Sequence, residues 1–268
     1  ACLGQLAAAA GLPDPSLNLK LKAPITTWDE AIPVGNGLQG GLLWGEANLL
    51  RLSLDRGDLW DLRTPPAIHE PGFTYTNLQR LVRERNQREF SRLFDAPYNA
   101  PTPTKIPGGR LEVVLDPTVS VREFELDLAT AEGRAMFNNG QRCGVFFSAV
   151  EPVALMRIPG GAPQEIRLRV AGSGKGEAGP DSHAVGKLGY PPARLGRDGQ
   201  HCWFEQECAD GFAYAVCAGW RREGAATLIA VCIGTRGEGK SPLAVAKARV
   251  DKILKSSYAA ALKPHSRW

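Results

Sequence analysis

Leu111-Glu112-Val113-Val114-Leu115, then Val119-Ser120-Val121-Arg122-Glu123-Phe124-Glu125-Leu126-Asp127-Leu128, decides the fold. The second stretch alternates apolar and polar residues with a period of two, the signature of a strand with one buried face. Residues 134–137 and 143–148 follow, flanking Asn138-Asn139-Gly140. Asn-Gly between two strand-like runs is a strong hairpin signal, because both residues tolerate positive φ. Further strand-like runs fall at 153–158, 165–170, 202–207, 212–218 and 227–233. No helix separates them. Strands joined without helical crossovers pair antiparallel, so a sandwich is expected and a doubly wound sheet is not.

Upstream, residues 17–60 alternate short apolar runs with turns, and Leu49-Leu50-Arg51-Leu52-Ser53-Leu54 reads as a strand. Gly35-Asn36-Gly37 and Gly40-Gly41 supply turn or bulge chemistry. One internal helix is expected over 76–94, with Thr76 as its cap and Leu78, Leu81, Val82, Phe90, Leu93 and Phe94 as its apolar stripe. Residues 172–200, rich in Gly, Pro and charge, read as a long exposed loop. A second helix is expected over 242–262, started by Ser241 and Pro242. Its apolar side (Leu243, Ala246, Val250, Ile253, Leu254, Tyr258) has no partner evident in the sequence, which suggests a linker onto something beyond.

The chain has 268 residues, about 43% of them hydrophobic, which is ample for a core. Gly and Pro are scattered as single breaks and not gathered in a low-complexity tract. Net charge is +4, with both signs interspersed. The densest basic run, residues 80–92, also holds Glu84 and Glu89 and reads as a solvated helix face, so no nucleic-acid partner is expected. No apolar run is long enough to span a bilayer. The start, Ala1 to Ala10, is small and apolar, and Ala8-Ala9-Ala10 matches a cleavage signature without the charged beginning of a signal. Localisation stays open, with a secreted or periplasmic origin as one option. Six cysteines show no zinc or thioredoxin spacing. Cys217 and Cys232 read as buried free thiols, and Cys202 with Cys208 as a pair that a hairpin could join.

Gly234-Thr235-Arg236-Gly237-Glu238-Gly239-Lys240-Ser241 fits the phosphate-binding loop pattern in full. We reject that reading. The loop needs a parallel sheet behind it and later strands to hold Mg²⁺, and here only a short helical stretch follows. The plain account is a strand-to-helix turn capped by Ser241. Four histidines (His69, His183, His201, His265) share no spacing that aims two at one metal, so neither a metal nor a cofactor is expected. Trp28, Trp44 and Trp60 fall near Asn36, Asp55 and Asp58 in sequence. Aromatic faces with Asn and Asp hydrogen bonds suit a sugar, whose faces are apolar and whose rim is hydroxyl. Core packing of the tryptophans, and turn or capping roles for the aspartates, are the plainer alternatives.

Trp28-Asp29-Glu30-Ala31-Ile32-Pro33-Val34-Gly35-Asn36-Gly37-Leu38-Gln39-Gly40-Gly41-Leu42-Leu43-Trp44-Gly45 resembles the opening of glycoside hydrolase family 95, which includes α-L-fucosidases. Leu52-Ser53-Leu54-Asp55-Arg56-Gly57-Asp58-Leu59-Trp60 resembles that family's Leu-Asn-Glu-Asp-Thr-Leu-Trp element, departing from it with Leu54-Asp55 in place of Asn-Glu. Asp127 to Glu132 with Phe147-Ser148-Ala149 resembles a later strand pair, and residues 258–268 the linker into the barrel. The resemblance implies an all-β, antiparallel β-supersandwich of the galactose-mutarotase-like kind, with one internal helix and a C-terminal linker helix. It implies a flexible or signal-derived segment over 1–16, the sandwich over 17–240, and a linker over 241–268 towards an (α/α)₆ barrel that carries the inverting chemistry. The implied partners are that barrel and a glycan. No catalytic residue transfers to this chain, and the isolated chain is expected to be inactive. Asn36, Asp55, Asp58, Trp60 and Trp28 are the expected substrate or interdomain contacts. A stand-alone carbohydrate-binding sandwich and a mutarotase-like isomerase are the alternatives, the latter requiring a histidine to share a cleft with a carboxylate.

Overall fold

The computed structural model describes residues 12–171 and 186–267. All sixteen strands described pair antiparallel, in three sheets. In chain order they are β1 (Leu19–Lys22), β2 (Ile32–Gly35), β3 (Gln39–Glu46), β4 (Leu49–Arg56), β5 (Trp60–Asp61), β6 (Thr104–Lys105), β7 (Arg110–Val114), β8 (Val121–Asp127), β9 (Glu132–Phe137), β10 (Arg142–Phe147), β11 (Ala154–Ile158), β12 (Glu165–Arg169), β13 (Arg194–Asp198), β14 (His201–Glu207), β15 (Ala213–Glu223) and β16 (Ala226–Thr235). The large sheet runs β1-β8-β9-β10-β11-β16-β15-β14-β13, the smaller one β12-β7-β4-β3-β2, and β5 pairs with β6 as a ribbon. The antiparallel sandwich expected from the alternating runs is what forms.

The period of two explains the layers. Leu50, Leu52 and Leu54 of β4 and Leu111 and Val113 of β7 face inward against Phe124, Ala135, Val145, Phe147, Val216 and Val231 of the large sheet. These residues are nearly devoid of solvent contact and form the main core. On the far side of the small sheet, Trp44 lies under the guanidinium groups of Arg51 and Arg110, 4.7 and 5.4 Å from the ring. Its indole N–H donates to Ser53 Oγ at 2.9 Å. Beside it Glu112 is buried among Arg167 (2.6 Å), Arg110 (2.7 Å), Arg169 (3.2 Å) and Arg51 (4.0 Å).

Several expectations need correction. The internal helix is broken: α1 (Tyr75–Arg83) is capped by Thr74, not Thr76, and α2 (Gln87–Phe90) starts anew at Asn86. Arg85, at φ 55°, ends the first helix between them. Val82 is exposed, so the buried stripe narrows to Leu81 and Leu93. The loop expected over 172–200 contains β13, which pairs with β14 through residues 194–198; residues 172–185 lie outside those described. Cys202 and Cys208 are free thiols, one within β14 and one just beyond the end of that strand, so no hairpin joins them. Cys217 and Cys232 are free and buried, as read from the sequence.

The C-terminal helix is two helices, α3 (Pro242–Ile253) and α4 (Tyr258–Arg267). Their apolar side is not left without a partner. Ala246, Val250, Ile253, Leu254, Tyr258 and Ala261 pack on Phe146, Leu155, Cys217, Leu228 and Ala230, forming a second core on the outer face of the large sheet. Close approach requires Gly234, where a Cβ would stand 2.3 Å from the Pro242 carbonyl oxygen. The phosphate-loop lookalike is the turn from β16 into α3. Ser241 Oγ caps the helix by accepting from Ala244 N at 3.2 Å, and the Glu238 carboxylate fills the turn by accepting from Thr235 N at 3.2 Å.

Candidate functional site

The Gly35-Asn36-Gly37 segment is the β2–β3 turn. Asn36 Oδ1 accepts from Leu38 N (3.1 Å) and Gln39 N (2.8 Å), an Asx-type turn. Gly37, at φ 88°, supplies the left-handed residue such a turn needs. Asn36 Nδ2 donates to the Ser148 carbonyl at 2.8 Å, tying the turn to the large sheet. The Asn36 side chain is therefore committed to the fold on three hydrogen bonds.

The Asp55 to Trp60 segment lies alongside, joined by Gly57 N donating to the Leu38 carbonyl at 2.8 Å. Arg56 points inward and is almost wholly buried. It reaches Asp58 at 2.6 Å, Glu238 at 2.7 Å and the Ile233 carbonyl at 2.9 Å. Glu238 in turn meets Arg249 of α3 at 2.8 Å. Burial works against the Arg56 charge, but Asp58 and Glu238 outweigh it and hold the guanidinium above its ordinary value. Burial likewise opposes the Glu238 charge, and Arg56 with Arg249 holds that carboxyl below its ordinary value. The chain Asp58–Arg56–Glu238–Arg249 thus connects this end of the sandwich to α3.

Asp55, on β4, accepts from Lys105 Nζ of β6 at 2.5 Å. Trp60 is pinned by its indole N–H to the Gly57 carbonyl (3.0 Å) and lies 5.9 Å from Lys105 Nζ, yet 45% of its surface stays open. Next to it Asp61 is buried, gripped by Arg63 (2.6 Å) and the Tyr190 hydroxyl (2.6 Å). Asn36, Asp55, Asp58 and Trp60 therefore share one end of the sandwich. Trp28 does not join them: it precedes β2, whereas Asn36 follows it, so the two sit at opposite ends of that strand. Trp44 belongs to the outer face of the small sheet.

Each aspartate of the patch is held by a cation, and the open group is an aromatic face. That suits binding better than acid–base work, which needs two carboxylates facing across a cleft. Among the described residues no group of three His, Cys, Asp or Glu is placed to hold a metal ion. His201 meets Asp198 (3.0 Å) and Asp251 (2.7 Å), but on the surface between the β13–β14 hairpin and α3. His69 meets Thr64, and His183 lies outside the described residues. The sequence reading missed Gln39, Arg56 and Lys105. The alternation of β3 puts Gln39 on the same face as Leu43, and a polar residue on a core face was the available signal.

Residues 19–190 match the family model described as glycosyl hydrolase family 65, N-terminal domain. The chain belongs to that family. The match begins at β1 and includes both segments of the patch. A similar protein is alpha-L-fucosidase 2 of Arabidopsis thaliana, 25% identical over 171 residues, covering 58% of this chain and 20% of the relative. The chain thus spans about a fifth of the length of that curated relative. Both findings agree on an N-terminal domain of glycoside hydrolases; the family shown is named for family 65, where the opening motif resembles family 95.

Proposed function

We propose that this domain is the non-catalytic N-terminal part of an inverting glycan hydrolase of the family 95 kind, acting on α-L-fucosides or related glycans. Its Trp60-bearing end packs on the catalytic (α/α)₆ barrel of the same polypeptide and helps shape the glycan site there. The observation that carries this is the open Trp60 face, held rigid by its own N–H bond and flanked by Asp55, Asp58 and Lys105. Exposed, pre-ordered aromatic faces mark sites of carbohydrate or protein contact. The similarity to an alpha-L-fucosidase supports the substrate class.

The test is Trp60→Ala in the full polypeptide that carries this domain. A several-fold rise in KM or fall in kcat on an aryl α-L-fucoside, at unchanged melting temperature, is expected. Unchanged kcat and KM would overturn the role of this end. The isolated chain is expected not to turn over aryl fucosides, galactosides or glucosides. If it instead binds oligosaccharides by itself through Trp60, the stand-alone binding module is the correct reading.

A further inference from the structure

A second charged feature lies on the outer face of the large sheet, where α4 crosses β9, β10 and β11. Strand pairing sets Arg134 and Arg157 on either side of Gly144. With no side chain at Gly144, the Glu132 carboxylate and the Tyr258 hydroxyl lie over the strand between them and form the floor of a hollow. A Cβ there would stand 2.3 Å from Glu132 Oε1 and 2.6 Å from the Tyr258 hydroxyl. Tyr258, Ala259 and Leu262 wall one side of the hollow, which is open to solvent and has a volume of about 410 Å³. That lies within the range of small-ligand pockets.

The polar groups inside are unequally satisfied. Glu132 is 7% exposed and accepts from the Tyr258 hydroxyl (2.6 Å) and Arg134 Nε (2.7 Å). Arg134 is matched by Glu132, Asp127 (2.5 Å) and Glu125 (3.8 Å). Among the described residues the Arg157 side chain reaches only Glu223, at 3.9 Å, which is beyond hydrogen-bond range. The Arg142 side chain makes no hydrogen bond or ion pair with any described residue. Arg142 and Arg157 are diagonal neighbours on one sheet face, with Cα atoms roughly 7–8 Å apart by strand geometry. Like charges so placed repel unless an anion lies between them.

We propose that this hollow is a binding site for a small sugar bearing an anionic group. Its carboxylate or phosphate takes the open guanidinium forks of Arg142 and Arg157, and its hydroxyls meet Glu132 and Tyr258. Guanidinium forks match both anions in bidentate geometry. The Glu132 oxygens keep lone pairs beyond those used by Tyr258 and Arg134, so they accept from sugar hydroxyls. The anion requirement rests on the two arginines alone. The sugar rests on the chain's membership of a glycoside hydrolase family and is independent of the reading of Trp60.

Calorimetric titration of the chain with glucuronate, glucose 6-phosphate, glucose and inorganic phosphate tests it, with Arg142→Gln, Arg157→Gln and the distant control Arg88→Gln. At least one sugar anion binds with Kd of about 1 mM or tighter. That affinity falls about tenfold in each of R142Q and R157Q, stays level in R88Q and weakens with salt. The carboxylate and phosphate arms tell which anion is preferred, and glucose binds more weakly than either. Saturable binding of neither sugar anion, equal affinity in the two pocket variants, or inorganic phosphate binding as tightly as the sugars would overturn the proposal. None of these outcomes bears on Trp60, whose test reads turnover.

Discussion

Gln39 of the small sheet pairs with the backbone of Ile233 in the large one, accepting from its N–H (3.0 Å) and donating to its carbonyl (2.9 Å). The reason lies in the topology. β11 pairs with β16 only as far as Ala154↔Val231, so the last residues of β16 have no strand on that side. Gln39 stands in for the missing strand, with its spare donor on the Pro152 carbonyl at 2.8 Å. Gln39→Met keeps the volume and leaves the Ile233 N–H orphaned in the core. We expect a loss of about 3 kcal/mol in urea denaturation, from a buried donor without a partner.

Arg56 and Glu238 form the neighbouring clamp. Removing one partner of a buried pair leaves an uncompensated charge, so Arg56→Met should lose about 3 kcal/mol or more. A double-mutant cycle with Glu238→Gln should return a coupling of about 1 kcal/mol or more, and additive losses would show the pair to be energetically idle.

The Glu112 cluster should make the protein acid-labile. Burial alone would raise the Glu112 carboxyl, but Arg167, Arg110 and Arg169 outweigh it and bring it from 4.5 to about 2. Its stabilisation is fully present above about pH 4.5 and is lost as pH falls towards about 2, because the unfolded chain takes up the proton first. Glu112→Gln should flatten the dependence of stability on pH in that window and lower stability at neutral pH.

His265 acts in the neutral range with its own sign. It lies on the buried face of α4, stacked on Phe146 (4.8 Å between centroids), with Nε2 3.4 Å from the Ala131 carbonyl and Nδ1 without a partner among the described residues. Burial lowers its affinity for a proton below the ordinary 6.5, despite the Ala131 and Thr130 backbone and the nearby Glu132. The unfolded chain therefore binds the proton first, and stability falls as pH drops through 6.5. Melting temperatures at about pH 7.5 and about pH 5.5 should differ less in His265→Phe than in the parent.

The layered fold was legible because period-two alternation reports one buried face, and it marked β4, β7, β8 and the β9–β10 hairpin within a residue or two. What alternation does not report is which sheet a strand joins. β12 follows β11 in sequence but lies in the opposite sheet, beside β7. β13 was hidden because its residues are mostly exposed and carry no core pattern. At the patch, local sequence brought Asn36, Asp55, Asp58 and Trp60 to notice. Lys105 and Glu238, distant in sequence, arrive only through pairing of β5 with β6 and the turn into α3. Trp28 was misplaced because it lies in a 3-10 turn before β2, and the whole of that strand separates it from Asn36.

The pairing of β11 with β16 also sets a timetable. β11 occupies the middle of the large sheet, yet its second neighbour lies beyond residues 159–225. At ribosomal rates of roughly 5–20 residues per second, that edge waits about 3–13 s for β16 to emerge. Meanwhile Leu155 and Met156 stand on an unpaired strand edge, the kind that recruits other chains. Co-translational helpers that shield strand edges should matter most in that interval, and variants that slow synthesis between β12 and β16 should lower soluble yield without changing the stability of the finished protein.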